Sequence, residues 1–113
     1  MKLLHAASLA LALTVLASCG PTKEEFEVAQ TTIQGSPALQ KALYKDCVGK
    51  TWSKSDLAGG AMLLSVPPSK VPALTCKRLV NALVSGRLKY ADVRQNMNNG
   101  APTVNLIKIL QGR

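Results

Sequence analysis

An all-α fold is what this sequence predicts, and three observations carry the prediction. Beyond position 36, apolar residues recur at three- and four-residue spacings. Serine, proline and glycine punctuate those runs where helices start and stop. Segments that alternate β-branched and polar residues are nearly absent. The expected architecture is a small bundle of four or five short helices, stapled by one disulfide and preceded by a flexible tether.

The elements follow in order. Ser36-Pro37 reads as an N-cap followed by proline at the first helical position. Behind it Leu39, Ala42, Leu43, Cys47 and Val48 share helical spacing, and Gly49 is placed to end the helix. Lys41 and Lys45 lie on its polar side, one turn apart. Ser53-Lys54-Ser55-Asp56 matches a capping box, with Asp where Glu or Gln is usual, and opens a run from Leu57 to Leu64. Within that run, each of Gly59 and Gly60 costs about 1 kcal/mol in a helix interior. The helix is therefore expected to be short, bent or packed tightly through its glycine face. Val66-Pro67-Pro68 ends it.

Pro72 starts the next helix, with Ala73, Cys76, Leu79, Val80, Leu83 and Val84 on its apolar side and Gly86 at the stop. Another is expected from about Lys89 to Asn98 through Tyr90, Val93 and Met97, halted by Asn98-Asn99-Gly100. Pro102 opens the last, Val104 to Leu110, which Gly112 ends; its β-branched residues lower its helical propensity. Two corners echo each other. Gly49-Lys50, Trp52 and Asp56 in the first correspond to Gly86-Arg87, Tyr90 and Asp92 in the second. The offsets differ by one residue, which favours common corner physics over duplication.

The N-terminus is of another kind. Lys2 sits in a short basic head, and Ala6 to Ala17 contains only Ala, Leu, Val, Ser and Thr. Residues 1–18 read as a secretory signal peptide. Its apolar stretch is too short to span a bilayer, which takes about 20 apolar residues. Leu16-Ala17-Ser18-Cys19 closes it, and this box resembles the lipobox of bacterial lipoproteins. The resemblance covers residues 1–20 and implies cleavage before Cys19, with lipidation of Cys19 by a thioether-linked diacylglycerol and an amide-linked third chain. Each buried methylene is worth about 0.8 kcal/mol, so one chain anchors marginally and two anchor stably. Membrane attachment through this N-terminal lipid follows. The alternative is a plain signal peptide with Cys19 near the cut, but Ala10-Leu11-Ala12, the late A-x-A, lies inside the apolar run. Gly20 stands where the family's enteric sorting rule has Asp for inner-membrane retention. The resemblance thus implies the outer membrane, facing the periplasm.

Residues 19–36 are expected to form the lipidated N-terminus and tether, and 37–113 one helical domain. Cys19 to Gln40 carries Lys23 against Glu24, Glu25 and Glu27, whereas Lys41 to Arg113 carries twelve bases against Asp46, Asp56 and Asp92. Phe26, Val28 and Ile33 could pack on the domain, and a short helix over Lys23 to Gln30 is an option. With Cys19 acylated, Cys47 and Cys76 remain as an even pair in an exported protein, where a disulfide is favoured over two buried thiols.

Little catalytic chemistry is available. His5, the sole histidine, lies in the signal peptide, so a Ser-His-Asp or Cys-His site and His-ligated zinc are excluded from the mature chain. Ser-x-x-Lys and Gly-x-Ser-x-Gly do not occur. Gly49-Lys50-Thr51 lacks the earlier glycine of a phosphate loop. Asp46, Asp56 and Asp92 have ordinary uses in ion pairs and helix caps. The expectation is a non-enzymatic interaction or structural module of the envelope, without cofactor or metal.

Its partner would be an envelope protein or an anionic lipid or glycan, with Lys41, Lys45, Arg87 and Lys89 as candidate contacts. Nucleic acid is not expected in that compartment. Alternatives are an accessory lipoprotein of a secretion or conjugation apparatus, an exclusion factor among them, and a binder of anionic envelope lipids or glycans.

Overall fold

The computed structural model describes residues 20–113; the stretch 1–18 expected to be a signal peptide and Cys19, expected to be lipidated, lie outside the described residues. These form α1 (Lys23–Gln34), α2 (Pro37–Gly49), α3 (Lys54–Leu64), a 3-10 turn (Pro68–Lys70), α4 (Val71–Ser85), α5 (Tyr90–Asn99) and α6 (Val104–Leu110), with no strand among them. Beyond position 36 the chain is thus the expected set of five short helices.

The starts follow the side-chain caps. The Ser36 hydroxyl accepts from the Leu39 amide with Pro37 behind it, and Ser53 and Asp56 exchange both bonds of a capping box. Thr103 accepts from Leu106 to open α6. The stops are less uniform. Gly86 and Gly100 take left-handed φ of 80° and 70° at the ends of α4 and α5. Gly49 does not: it is the last residue of α2, and the chain leaves through an extended Lys50. After α3 the left-handed position is filled by Ser65, φ 55°, a non-glycine residue in a region that favours glycine.

Helix α4 is the hub of the bundle, touching α1, α2, α3, the 3-10 turn and α6. It buries Val71, Cys76, Val80 and Ala82. Toward its C-terminal half, Ala82 joins Leu88, Leu106 and Ile109 in the main core, flanked by Leu79, Leu83, Val93 and Leu110. Its N-terminal end packs on α3 through Gly60, where an added Cβ would lie 2.4 Å from Cγ1 of Val71. Gly59, by contrast, faces open space. The glycine face inferred from sequence is therefore one glycine.

The disulfide joins Cys47, near the end of α2, to Cys76 in α4, with Cα atoms 5.8 Å apart. Helix α2 buries no residue fully, and the covalent tie reinforces its broad contact with α4. Closing a loop of 29 residues is worth roughly 3.5 kcal/mol in the chain-entropy model.

Residues 23–34, assigned from sequence to a tether, form a helix longer than the Lys23 to Gln30 option and are seated on the bundle. Thr22 caps it by accepting from the Glu25 amide, and Glu24 and Glu25 favour its positive end. Phe26, Gln30 and Ile33 form its inner, half-buried side, whereas Val28 is exposed. Gln30 and Gln34, one turn apart, donate their amides to the carbonyls of Leu83 and Val84 at 2.9 and 3.0 Å. Carbonyls in a last helical turn lack intrahelical partners, so α1 works as a C-terminal cap for α4. The Phe26 and Tyr90 rings meet with centroids 5.9 Å apart, and the Tyr90 hydroxyl donates to the Pro21 carbonyl. Helical propensity alone would not hold twelve residues in water; these tertiary contacts do.

Candidate functional site

Four elements leave an apolar groove between them. Leu43 of α2, Leu79 and Leu83 of α4, Val93 and Met97 of α5, and Leu106 of α6 line it, and its volume is about 490 Å³. Thr75 and Asn96 are its polar side chains. The groove exists because α5 and α6 pack near the C-terminal end of α4 while the disulfide fixes α2 along the same helix. Grooves of roughly 300–1,000 Å³ with apolar walls suit small apolar ligands or chain segments.

Val93 and Met97, one turn apart on α5, also line a second, more polar cleft. Its other walls are Gly20, Pro21, Lys23, Tyr90, Arg94 and Asn98. Met97, 54% exposed, thus stands between the groove and the point where the described chain begins. Gly20 has φ +68° and fits so closely on Met97 that a Cβ there would lie 2.4 Å from its Cε. The backbone angle favours glycine, while the contact is with the far end of a flexible side chain.

The side wall of the groove is supported by a buried charge. Asp92, 4% exposed, lies at the third position of α5. Its carboxylate accepts from the Lys89 amide at 2.9 Å, from the Asn105 side chain at 2.7 Å and from the Thr103 hydroxyl. Thr103 in turn accepts from the Leu106 amide, and Asn105 also donates to the Arg87 carbonyl. One carboxylate thereby caps α5, orients the cap of α6 and ties both to the α4–α5 corner. Burial pushes its pKa up, but the bonds from Thr103, the Lys89 backbone and Asn105, aided by the Lys89 charge, hold it below the ordinary carboxylate value. Asp92 is fully engaged inside the fold, and its sequence reading as a helix-start residue understates it.

The cations expected to meet a partner occupy two places. Lys41 and Lys45 are exposed on α2; Arg87 and Lys89 are exposed in the corner between α4 and α5. Arg87 is partly engaged, because its guanidinium donates to the Arg113 carbonyl. Arg78 is half-buried and donates to the Leu110 carbonyl. The other bases from Lys41 onward are exposed. Among the described residues the ion pair is Lys23–Glu27, at 4.0 Å within α1; none involves a base from Lys41 to Arg113. Asp46, expected to pair with nearby lysines, makes no such bridge. Lys50 lies 4.6 Å from the centre of the Trp52 ring, whose buried indole N–H has no partner.

Among the described residues no group of three or more His, Cys, Asp or Glu side chains is placed to hold a metal ion, and no helix is long and apolar enough to cross a membrane. No protein-family model, curated protein or solved structure matches the chain. The groove and the role of Met97 were missed from sequence, since Leu79, Leu83, Val93 and Met97 read equally well as core. Thr103 carried a usable signal, as a threonine directly ahead of a helical run; Asn105 carried none.

Proposed function

We propose that this chain is a small lipid-anchored bacterial envelope protein that acts by binding rather than catalysis, its basic exterior engaging an anionic envelope lipid or glycan. The observation that carries the reading is the unanswered charge. From Lys41 onward twelve bases face three acids. Of those acids, Asp92 is buried in the cap network and Asp56 is used in the capping box. A surface with such an excess of positive charge over exposed acids attracts anionic interfaces, at about 1 kcal/mol per Lys or Arg near the surface. The lipobox supports placement at such an interface, with Cys19 as the anchor. The spread of the bases over several helices supports a distributed contact rather than a single cation pocket.

The test uses Cys19→Ser protein, which lacks the lipid, on vesicles containing anionic phospholipid or lipopolysaccharide across a salt series. Retention at low salt that falls steeply near 0.1 M, where the Debye length is about 10 Å, is the expected result. Lys41→Glu with Lys45→Glu should weaken retention in part, and Arg87→Glu with Lys89→Glu should do so less, because Arg87 already serves the Arg113 carbonyl. No retention at low salt refutes the basic-surface reading. In cells, a fatty-acid label that persists on the Cys19→Ser variant refutes the anchor.

A further inference from the structure

We infer that the apolar groove is the seat of an acyl chain carried on Cys19, the amide-linked one. The inference rests on the lipobox reading of Cys19 and goes beyond the anchor that reading provides. Three observations meet here. The groove is about 490 Å³ and its walls are apolar apart from Thr75 and Asn96, which suits a flexible hydrocarbon better than a polar or planar ligand. Its rim residue Met97 is the residue against which Gly20 is packed. Cys19 is bonded to Gly20, and one residue spans at most about 3.6 Å. An acyl group on the Cys19 nitrogen is therefore one residue removed from Gly20, whose neighbour Met97 also lines the groove.

The position of Gly20 is set by the residues that follow it. The Tyr90 hydroxyl fastens the Pro21 carbonyl at 3.1 Å, and helix α1, beginning at Lys23, is fixed to α4 by Gln30 and Gln34. Gly20, the residue next to the attachment point, is thus placed against Met97 by the fold. Methionine is an apt gate, since its unbranched thioether chain adapts to irregular apolar shapes. Membrane attachment survives the withdrawal of one chain, because two chains suffice for stable anchoring. The two diacylglycerol chains remain in the bilayer, and the domain is held against the membrane rather than swinging from it.

The experiment is metabolic labelling of the full chain in cells with a fatty acid bearing a terminal alkyne and a photoactivatable diazirine near the methyl end. After illumination, the labelled protein is digested and mapped by mass spectrometry. The expected result is label on Cys19 with intramolecular cross-links to the α4 and α6 peptides containing Leu79, Leu83 and Leu106. Met97→Asp, a change at an exposed rim that leaves the core intact, should keep the Cys19 label and lower those cross-links several-fold. Label on Cys19 with cross-links to phospholipid alone overturns the inference and leaves the lipobox reading standing. Absence of label from Cys19 overturns both.

Discussion

The two sides of α4 are held by different means. On one side, α2 buries nothing fully and α3 buries only Leu64, and the attachment relies on the Cys47–Cys76 bond and the close approach at Gly60. On the other, Leu88 of the α4–α5 corner and Leu106 and Ile109 of α6 form a core against which Val93 of α5 packs, and α5 and α6 are laced together by Asp92. Each side has an aspartate at the third position of a helix, bonding back to the cap residue's amide. Asp56 does only that and is exposed; Asp92 does the same and also receives Thr103 and Asn105 in a buried place. One local motif thus yields a surface cap in one setting and a tertiary hub in the other. The difference lies in what the next helix brings into reach.

That comparison can be broken most severely at the disulfide. Reduction, or Cys47→Ser with Cys76→Ser, should lower unfolding free energy by roughly 3.5 kcal/mol. Amide exchange should accelerate in α2 before α6; equal loss in both would contradict the division into two sides.

Asp92→Ala should cost about 2–4 kcal/mol, since it strands a hydroxyl, an amide and a backbone N–H in a buried site. Here the loss should be felt in α5 and α6, read by the same exchange experiment. Asp92→Asn sharpens the point through pH. The folded carboxyl titrates below its ordinary value, so its charge stabilises the fold above the unfolded value of about 3.9. That contribution is lost as pH falls from there through the lower folded value. The stability gap between the native chain and Asp92→Asn should therefore be full at pH 6 and narrow in strong acid; a gap independent of pH would be evidence against the charge.

Gly60→Ala forces a methyl into Val71 and should cost about 1–3 kcal/mol. Its neighbour provides the control: Gly59→Ala meets no atom within 4 Å and should stabilise by up to about 1 kcal/mol. Thermal unfolding of the two variants side by side decides whether the approach of α3 to α4 is as close as described. Smallest on a single-site basis is Asp56→Ala, which loses one exposed cap bond and should cost about 1 kcal/mol or less. A cost equal to that of Asp92→Ala would erase the contrast between the corners.

Helix positions were legible because their signals are local. Ser36-Pro37, Ser53 to Asp56, Gly86 and Gly100 each act on backbone groups within a few residues, so no knowledge of the remaining chain is needed to read them. The disulfide was legible for a different reason, as the pairing left once Cys19 is assigned to lipid. Gly49 ends α2 as expected, though without turning left-handed, and the left-handed stop after α3 fell to Ser65.

Local chemistry alone therefore determined the helical class, most helix ends and the excess of positive charge, and elimination determined the cysteine pairing. Tertiary structure alone decided that residues 23–34 dock as a helix, that Asp92 is buried among three donors, that Gly60 rather than Gly59 is the contact, and that Met97 stands between Gly20 and an apolar groove. The physical reason is distance along the chain. Gln30 reaches Leu83 and Tyr90 reaches Pro21 across more than fifty residues. An exposed polar residue and one that caps a distant helix have the same composition and the same local periodicity, and only packing distinguishes them.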